Sequence, residues 1–349
     1  MTSDFRRLSG EKDTMSMSND ALTHPTDALA ITHALVEAAS TAGHAPSIHN
    51  TQPWRWRLSD HTLDLRLERS RVLDVTDPDA RLATVSCGAA LHHARISLAA
   101  QGWNATVTRM PEHDDPDHLA RVHVEGRATV DLSSMVHLRT VSLRHTDRRP
   151  ITGAAVATED LRAITAAVEA EDTRLHTLTD DQILELASAA DHAQHIEVLD
   201  PSWRAELAEW TGGTRPAGTG IPDAAIPGRP TLTTVPGRDF GHLGDLAISA
   251  GHDKSARFVM LYGPADEPAN WLRAGEALSA GWLVATERGV SVLPHSAPVE
   301  VISTRQAMRA ILASTGYPYL VMRLGIIDAV DRGAEHAPRL PTEQIIERS

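Results

Sequence analysis

Residues 44 to 56 read His44-Ala45-Pro46-Ser47-Ile48-His49-Asn50-Thr51-Gln52-Pro53-Trp54-Arg55-Trp56. Each proline disfavours the helical conformation in the residue before it, so the segment between the two prolines is predicted to be a fixed, irregular loop. Ser47, Asn50 and Gln52 offer uncharged hydrogen-bonding groups there. The loop lies between an apolar helical pattern and an apolar strand pattern, a common position for binding residues. A tight connection with capping side chains would use the same residue types.

The composition limits the classes of partner. The 349 residues include 33 Lys and Arg against 46 Asp and Glu, a formal net charge of -13. Such an acidic chain argues against nucleic acid or an anionic membrane as the main partner. Hydrophobic residues make up 42% of the chain, enough for a sizeable core in one large domain or two ordinary ones. The single cysteine, Cys87, excludes an internal disulfide and a Cys-rich metal site.

The beginning of the chain has no targeting pattern. Residues 1–25 mix charged residues with Ser, Asp and Met and have no apolar core, so a signal peptide is not expected. We interpret them as a disordered leader. No stretch approaches the ~20 apolar residues of a membrane span. These features predict a soluble, cytoplasmic protein with no membrane partner.

The first part of the chain, residues 26–141, shows alternating helix and strand patterns. Trp54, Trp56 and Leu58 alternate with arginines, and leucines alternate with polar residues after a short turn, which predicts a hairpin with one buried face. The predicted elements are a helix from residue 26 or 27 to 42, strands 54–58 and 63–67, a helix at 86–100, and strands 104–109 and 120–124.

The second part, residues 142–349, shows a similar mixture and one long irregular stretch. The predicted elements are helices 159–171, 180–195 and 271–288, and strands 257–262, 299–303 and 319–324. Residues 211–238 contain six glycines and five prolines. A loop of that length inside a compact domain is usually a functional lid or a disordered segment.

Two predicted helices begin with similar small residues. Gly88-Ala89-Ala90-Leu91 is followed 14 residues later by Gly102, and Gly275-Glu276-Ala277-Leu278 is followed 14 residues later by Gly289. Strand patterns come after both, so the chain is predicted to contain two copies of one α+β unit. A chance similarity is the alternative, because Gly, Ala and Leu are common in this chain.

Each predicted copy lacks what the other contains. The first has the polar loop, and the second has a basic cluster in which only Asp147 opposes the positive charge. The cluster consists of Arg139, Arg144, His145, Arg148 and Arg149. If one ligand needs both features, a single chain forms one such site across the seam between the copies.

These motifs resemble those of the FMN-dependent nitroreductase superfamily. The loop from Pro46 to Trp54 matches that family's Pro-Ser-x-x-Asn-x-Gln-Pro-Trp signature. Arg144-His145-Thr146-Asp147-Arg148 resembles its Arg-x-Ser/Thr-x-Arg/Lys phosphate motif, and Arg339-Leu340-Pro341 is similar to its C-terminal arginine motif. The resemblance covers about residues 26 to 345.

The resemblance implies a fold and an assembly. Ordinary members are homodimers with two FMN sites, each built from both subunits. A fused chain with one loop and one phosphate motif resembles the Acg-type branch, whose single chain mimics that dimer. The implied fold is α+β, with an antiparallel-rich sheet in each of two tandem copies. The implied assembly is a monomer that acts as a pseudo-dimer, or a homodimer.

The resemblance also implies the cofactor contacts of one FMN per chain. Arg144, Arg148 and Arg339 would hold the phosphate together with His145 and Thr146, as charge-assisted hydrogen bonds suit a dianion. The alternative for Arg148 and its neighbour Arg149 is a solvated surface pair. The flavin ring would be held by residues of the loop and of a segment after the second small-residue helix. These residues are Pro46, Ser47, Ile48, Asn50, Gln52, Pro294, His295 and Ser296.

Other chemistries have weaker support. The chain has 19 histidines, but pairs such as His192 and His195 lack an obvious third ligand, so no metal site is predicted. No Gly-x-x-x-x-Gly-Lys sequence is present, and the glycines at 212–220 follow no strand pattern.

Three functions follow from these observations. The first is an FMN-dependent oxidoreductase that takes a hydride from NAD(P)H and passes it from flavin N5 to a small organic acceptor, with no catalytic side chain required. The second is a protein that sequesters FMN beneath a lid formed by residues 211–238. The third is a structural protein without flavin.

Overall fold

The computed structural model describes residues 25–130, 132–212, 215, 217–248, 252–327 and 337–348. The predicted leader lies outside these ranges, apart from Pro25. No helix in the described ranges is long and apolar enough to cross a membrane. Two β-sheets and two long central helices dominate the architecture, as expected for an α+β protein.

The first unit contains a helix, a hairpin, a second helix, two more strands and a third helix. In chain order these elements are α1 Pro25–Ala42, β1 Trp54–Ser59, β2 Thr62–Leu67, α2 Arg81–Ala100, β3 Trp103–Arg109, β4 His118–Arg127 and α3 Leu132–Val141.

The second unit repeats this order with insertions, and the chain then ends in a short strand. The elements are α4 Thr158–Glu169, β5 Arg174–Thr177, α5 Asp180–Leu199, α6 Pro201–Glu209, β6 Arg257–Gly263, α7 Pro268–Glu287, β7 Ser291–His295, α8 Ala297–Glu300, α9 Ile302–Ile311, β8 Tyr317–Gly325 and β9 Ile346–Arg348.

The two sheets share one strand order. The first sheet runs β3-β4-β2-β1-β9, and the second, counted from its β7 edge, runs β7-β8-β6-β5. Corresponding strands take corresponding places, and their pairings are antiparallel. The described chain therefore contains two copies of one α+β unit, which confirms the predicted fold class.

The predicted hairpin is present in the first sheet. Trp54 pairs with Leu67, Trp56 with Leu65, and Leu58 with Leu63 in antiparallel register. These side chains are buried, and both tryptophans are completely inaccessible to solvent. The alternation of apolar and polar residues thus fixes which face of the hairpin packs on α1 and α2.

The central helices α2 and α7 cross where two glycines meet. A Cβ atom on Gly88 would lie 2.0 Å from the carbonyl oxygen of Leu272, and one on Gly275 would lie 1.9 Å from that of Val85. Each glycine faces the carbonyl three positions before the other, so the crossing has an approximate two-fold symmetry. Both are the eighth residue of a 20-residue helix. This geometry supports the repeat alignment of Gly88 with Gly275.

The last strand belongs to the first sheet although it lies in the second half of the sequence. β9 pairs in parallel with β1, with Trp56 opposite Ile346 and Leu58 opposite Arg348. The buried side chains of Leu340 and Ile345 belong to the core of the first unit. The division into residues 26–141 and 142–349 stays a prediction. The last described residues, although they fall in the second range, pack on the first unit.

One predicted strand is wrong. Residues 299–303 do not form a strand but span the end of α8 and the start of α9. All four residues of α8 are buried, and in α9 the buried positions are Thr304, Met308 and Ile311, whereas Ile302 is exposed. The spacings of four and three residues in α9 fit a helical face, and Pro298 in the first turn of α8 favours helix initiation.

Replacement of Gly88 by alanine is expected to destabilise the protein by roughly 3 kcal/mol, because the new methyl group meets a backbone carbonyl that cannot rotate away. The free energy of unfolding in urea measures this effect. Gly126→Ala is the control, because a Cβ atom there meets nothing within 4 Å. Equal stability of the two variants would contradict the proposed close contact.

Candidate functional site

Residues 45–53, the binding loop, have an unusual backbone that is held by two serines. Ile48–Asn50 forms a short 3-10 turn, and His49, Asn50 and Gln52 have φ angles of 42°, 56° and 52°. The amide of Gln52 donates to Oγ of Ser47 at 3.0 Å, and that of Ile48 donates to Oγ of Ser86 at 3.1 Å. The loop is thus fixed, as predicted.

A cavity of about 460 Å³ lies beside the binding loop, where the two units meet. Its wall contains all but one of the residues predicted to contact a cofactor. Those in the wall are Pro46, Ser47, Ile48, Asn50, Arg144, His145, Thr146, Arg148, Pro294, His295, Ser296 and Arg339. Pro294 has no backbone N–H, so a donor in that segment has to be His295 or Ser296.

The exception is Gln52, whose side chain does not line the cavity. It is completely buried, its Nε2 donates to the carbonyl of Gly218 at 2.6 Å, and its Oε1 accepts from the amide of Leu340 at 3.0 Å. Both ends of the amide are therefore occupied by backbone groups. The cofactor contact of Gln52 stays a prediction; in the described structure its side chain connects three segments of the chain behind the cavity wall.

Two arginines from distant parts of the chain converge at one end of the cavity, the anion end. Nη2 of Arg144 and Nη2 of Arg339 lie 3.4 Å and 3.3 Å from the carbonyl oxygen of His44. Within the described ranges, neither has a carboxylate within ion-pair distance. Nε and Nη1 of Arg144 have no hydrogen-bond partner there, although the residue is only 3% exposed.

The electrostatics of this end are unfavourable without an anion. Burial, with the charge of Arg339, lowers the pKa of Arg144 to about 9, and burial lowers the pKa of Arg339 to about 10. The guanidinium of Arg144 lies 4.5 Å from the ring centre of Trp282, which offers partial compensation. Nε of Arg339 has no hydrogen-bond partner among the described residues either. Two neighbouring positive charges with unpaired N–H groups are suited to an anionic ligand.

Arg148 and Arg149 take different positions from Arg144. Arg148 donates to the carbonyl of Ala225 at 3.2 Å and lies 5.4 Å from the ring of Phe240, so it contacts the lid side of the cavity wall. Its contact with the phosphate stays a prediction. Arg149 is buried and donates to both carboxylate oxygens of Asp147. The basic cluster is therefore divided into separate roles, and Arg139 lies exposed on α3.

Residues 217–246, which we call the lid, form one wall of the cavity. They continue the predicted lid of 211–238, of which Gly213, Thr214 and Pro216 lie outside the described ranges. Ile221, Ile226 and Phe240 form a small core of their own within it. Pro227 pairs with Leu246 in an isolated bridge. The lid is thus a compact structure rather than an extended loop.

Buried ion pairs connect Arg238 of the lid to Glu197 of α5 and Glu300 of α8. Nη2 of Arg238 lies 2.5 Å and 2.6 Å from the two carboxylate oxygens of Glu300, and Nη1 lies 3.1 Å from Oε2 of Glu197. Burial raises the pKa of Glu197 to about 7, against the attraction of Arg238 and with a further increase from Glu300. The lid therefore depends on a carboxylate that titrates near neutral pH.

Among the residues of the cavity wall that sequence analysis did not predict is His49. It occupies a variable position of the loop motif, is 8% exposed, and neither ring nitrogen has a partner among the described residues. Burial, with Arg238 and Arg148, lowers its pKa well below the usual value, and burial lowers that of His295 to about 3. Both imidazoles are neutral hydrogen-bonding groups. The sequence signal that could have identified His49 as a wall residue is its position next to Asn50 in the loop motif.

The corresponding place on the other side of the helix crossing is filled by ion pairs. When Gly88 of α2 is aligned with Gly275 of α7, Arg95 of α2 is equivalent to Trp282 of α7. Nη1 of Arg95 lies 2.7 Å from carboxylate oxygens of both Glu171 and Glu276, and Arg109 binds both oxygens of Glu276. This position has carboxylates already paired with arginines, in contrast to the anion end of the cavity.

No metal site accompanies the cavity in the part of the chain that the structure describes. Its histidines, cysteine and acidic residues form no group of three or more that could hold a metal ion. Cys87 is buried, and burial raises the pKa of its thiol. Fold and cavity together define a class: a pair of similar α+β units in one chain, with a cavity where they meet that is lined by Arg144 and Arg339.

The comparisons with known proteins identify the family. The chain is 33% identical over 324 residues, 91% of its length, to a Mycobacterium tuberculosis protein provisionally named NAD(P)H nitroreductase acg, of which it covers 97%. A second protein of that species, also provisionally named an NAD(P)H nitroreductase, is 33% identical over 314 residues, 88% of this chain and 89% of the relative. The chain belongs to the Acg-type nitroreductase family.

Solved structures resemble the chain more distantly. The FMN-dependent nitroreductase NfnB from Mycobacterium smegmatis in complex with NADPH has a TM-score of 0.40 and 16% identity over 63% of this chain and 100% of that one. A nitroreductase with bound FMN from Bacteroides fragilis has a TM-score of 0.36 and 14% identity over 59% and 94%. No family model matches the chain.

Two arginine substitutions are expected to have opposite effects on the ligand-free protein. Arg144→Met removes a buried, unpaired charge and should leave the free energy of unfolding unchanged or raise it by ~1 kcal/mol. Arg149→Met leaves Asp147 buried without its main partner and should cost about 3 kcal/mol. Urea unfolding measures both. Equal losses in the two variants would show that Arg144 is already compensated.

The ion pairs of Arg238 predict a pH dependence. A carboxyl group whose pKa is raised on folding stabilises the protein below its unfolded pKa, and this contribution is lost as the pH rises through the folded value. Between pH 5 and 8, the wild type should therefore lose ~2 kcal/mol relative to Glu197→Gln. Parallel curves of unfolding free energy against pH would contradict this assignment.

Proposed function

We propose that the chain binds one FMN in the cavity and acts as an NAD(P)H-dependent oxidoreductase that passes a hydride to a small organic acceptor. The observation that carries the proposal is the convergence of the buried Arg144 and the half-buried Arg339 at the anion end, where neither has a carboxylate partner in the described chain. The names of the mycobacterial relatives support the assignment of NAD(P)H as the electron donor.

The residues at the anion end fit a phosphate. A phosphate monoester carries nearly two negative charges at neutral pH and accepts several hydrogen bonds. The free N–H groups of Arg144 and Arg339 supply matching positive charge and donors, with His145 and Thr146 in the same wall. Their buried charges, costly in the ligand-free protein, become favourable interactions when an anion neutralises them.

The remainder of the cavity fits a flat ring with polar edges. The backbone of Pro46, Ser47 and Ile48 lies on one side, and the segment of His295 and Ser296 on another. His49 and His295 offer neutral donors and acceptors, and lid residues supply apolar surface. Bound FMN would supply the hydride chemistry at N5. The protein would bind and orient the ring, and the lid would exclude water.

The two copies support a stoichiometry of one FMN per chain. A symmetric pair would have a second cavity on the other side of the α2–α7 crossing. Arg95, Glu171 and Glu276 occupy the corresponding place with short ion pairs, so the charge of Arg95 is already compensated there. The chain would then act as a complete pseudo-dimer, alone or as a further homodimer, with a small-molecule acceptor.

A second function, sequestration of FMN, is favoured by the lid. The lid forms one wall of the cavity and is held by buried ion pairs and by hydrogen bonds to the binding loop. The volume of about 460 Å³ lies in the lower part of the ~300–1,000 Å³ range of small-ligand sites. Little space would remain for a nicotinamide to stack on a bound flavin while the lid is closed.

Titration with FMN tests the binding. We expect saturation at one FMN per chain, and Arg144→Met should weaken binding about 100-fold, because each charge-assisted hydrogen bond contributes ~1.5–3 kcal/mol. Arg139→Met, which changes an exposed arginine of α3, is the matched control and should bind normally. Two FMN per chain, or unchanged affinity in Arg144→Met, would contradict the proposed site.

Anaerobic addition of NADH or NADPH to the FMN-loaded protein separates the two functions. Loss of flavin absorbance within seconds, followed by its return when a nitroaromatic or quinone is added, would support the oxidoreductase. Tightly bound FMN that stays oxidised with both nucleotides would support sequestration.

A further inference from the structure

Three segments of the chain meet beside the anion end of the cavity. They are the binding loop, the lid, and residues 337–348, which we call the tail and which carry Arg339. The contacts among them are made by two buried amide side chains of the binding loop, Asn50 and Gln52, and by two glycines of the lid.

Asn50 uses both ends of its amide in this junction. Its Oδ1 accepts from Nη1 of Arg339 at 3.0 Å, and its Nδ2 donates to the carbonyl of Pro338 at 2.9 Å and to that of Gly220 at 3.0 Å. The amide of Gly220 donates in turn to the backbone carbonyl of Asn50 at 3.3 Å. One side chain thus holds the tail arginine and the lid at the same time.

Gln52 repeats this arrangement one step further along the tail. Its Oε1 accepts from the amide of Leu340 at 3.0 Å, and its Nε2 donates to the carbonyl of Gly218 at 2.6 Å. The side chain is completely buried, so no solvent is available to replace either partner. In each amide, the oxygen therefore accepts a hydrogen bond from the tail and the NH2 group donates one to the lid.

The lid and the tail also touch each other directly. A Cβ atom on Gly218, whose φ is +108°, would lie 2.9 Å from the carbonyl oxygen of Arg339 and 3.2 Å from Cα of Leu340. Only glycine permits this backbone angle and this approach without strain. A shift of the tail at Arg339 is therefore transmitted to the lid through both contact and hydrogen bonds.

We propose that Asn50 and Gln52 are positioning residues that couple the filling of the anion end to the closing of the lid. The proposal rests on the FMN site proposed above. An anion held by Arg339 immobilises the tail, and the immobilised tail places Pro338 and Leu340 against the two amides. The same two amides then bind Gly218 and Gly220. Because the amides are already ordered by the tail, closing the lid costs less conformational entropy when the anion is bound.

The coupling predicts different effects of FMN and riboflavin, which has the same ring without the phosphate. Hydrogen exchange measured by mass spectrometry on lid peptides reports closure without using activity. In the wild type, saturating FMN should slow exchange of the lid amides about tenfold or more, whereas saturating riboflavin should give little protection. Inorganic phosphate alone should give part of the protection of FMN.

Gln52→Glu tests the assigned path. The carboxylate still accepts from the amide of Leu340 but cannot donate to Gly218, and it places negative charge against that carbonyl. We expect FMN to bind at saturating concentration while lid exchange becomes about tenfold faster than in the FMN-bound wild type, the size expected for a lost buried hydrogen bond. Asn50→Asp, which keeps the acceptor for Arg339 and loses the donors to Pro338 and Gly220, should behave alike.

Gln306→Glu is the matched control, because it makes the same chemical change at an exposed position of α9. It should retain the protection of the wild type. Full lid protection in FMN-bound Gln52→Glu and Asn50→Asp, or equal protection by riboflavin and FMN in the wild type, would overturn the proposal.

The proposed FMN site can fail separately from the coupling. Absence of FMN binding by the wild type in the absorbance titration would contradict the FMN site. In that case the phosphate experiment decides the coupling: protection of the lid by phosphate, lost in Gln52→Glu, supports it, and no protection by phosphate overturns it.

Discussion

The close approach of two helix backbones at Gly88 and Gly275 is the constraint on which the rest of the structure depends. A side chain at either position would meet a carbonyl oxygen of the partner helix at about 2 Å. The crossing brings the two units so close that the binding loop of one reaches the arginines of the other. The seam, and with it the cavity, exists because both residues lack a Cβ atom.

The unpaired charge of Arg144 in the cavity wall lowers the stability of the ligand-free protein. Arg144 is buried with free N–H groups and has no carboxylate within ion-pair distance among the described residues, while Arg149 nearby pairs with Asp147. Removing a charge from water costs several kcal/mol unless a partner compensates it. A fold selected for stability alone would pair both arginines. The difference between them is the reason for placing the proposed anionic ligand at Arg144.

Much of the fold could be predicted from local patterns, because a hairpin or an amphipathic helix is encoded within a few residues. The predicted cofactor contacts that lie in the cavity wall came instead from the family resemblance. The strand predicted at 299–303 was wrong, because a run of β-branched residues also suits a helix that begins with a proline. The pairing of β9 with β1 depends on contacts almost 300 residues apart. Gln52 shares the residue type of a ligand contact, and only the position of Gly218 and Leu340 shows that it faces away.

The ion pairs of Arg95 with Glu171 and Glu276 have a consequence for how such a chain can evolve. In a homodimer, every substitution appears in both active centres, so one centre cannot be closed while the other is kept. Fusion removes that restriction, because each copy has its own codons. One gene then encodes the equivalent of a heterodimer, in which one centre is free to specialise while the other becomes structural support.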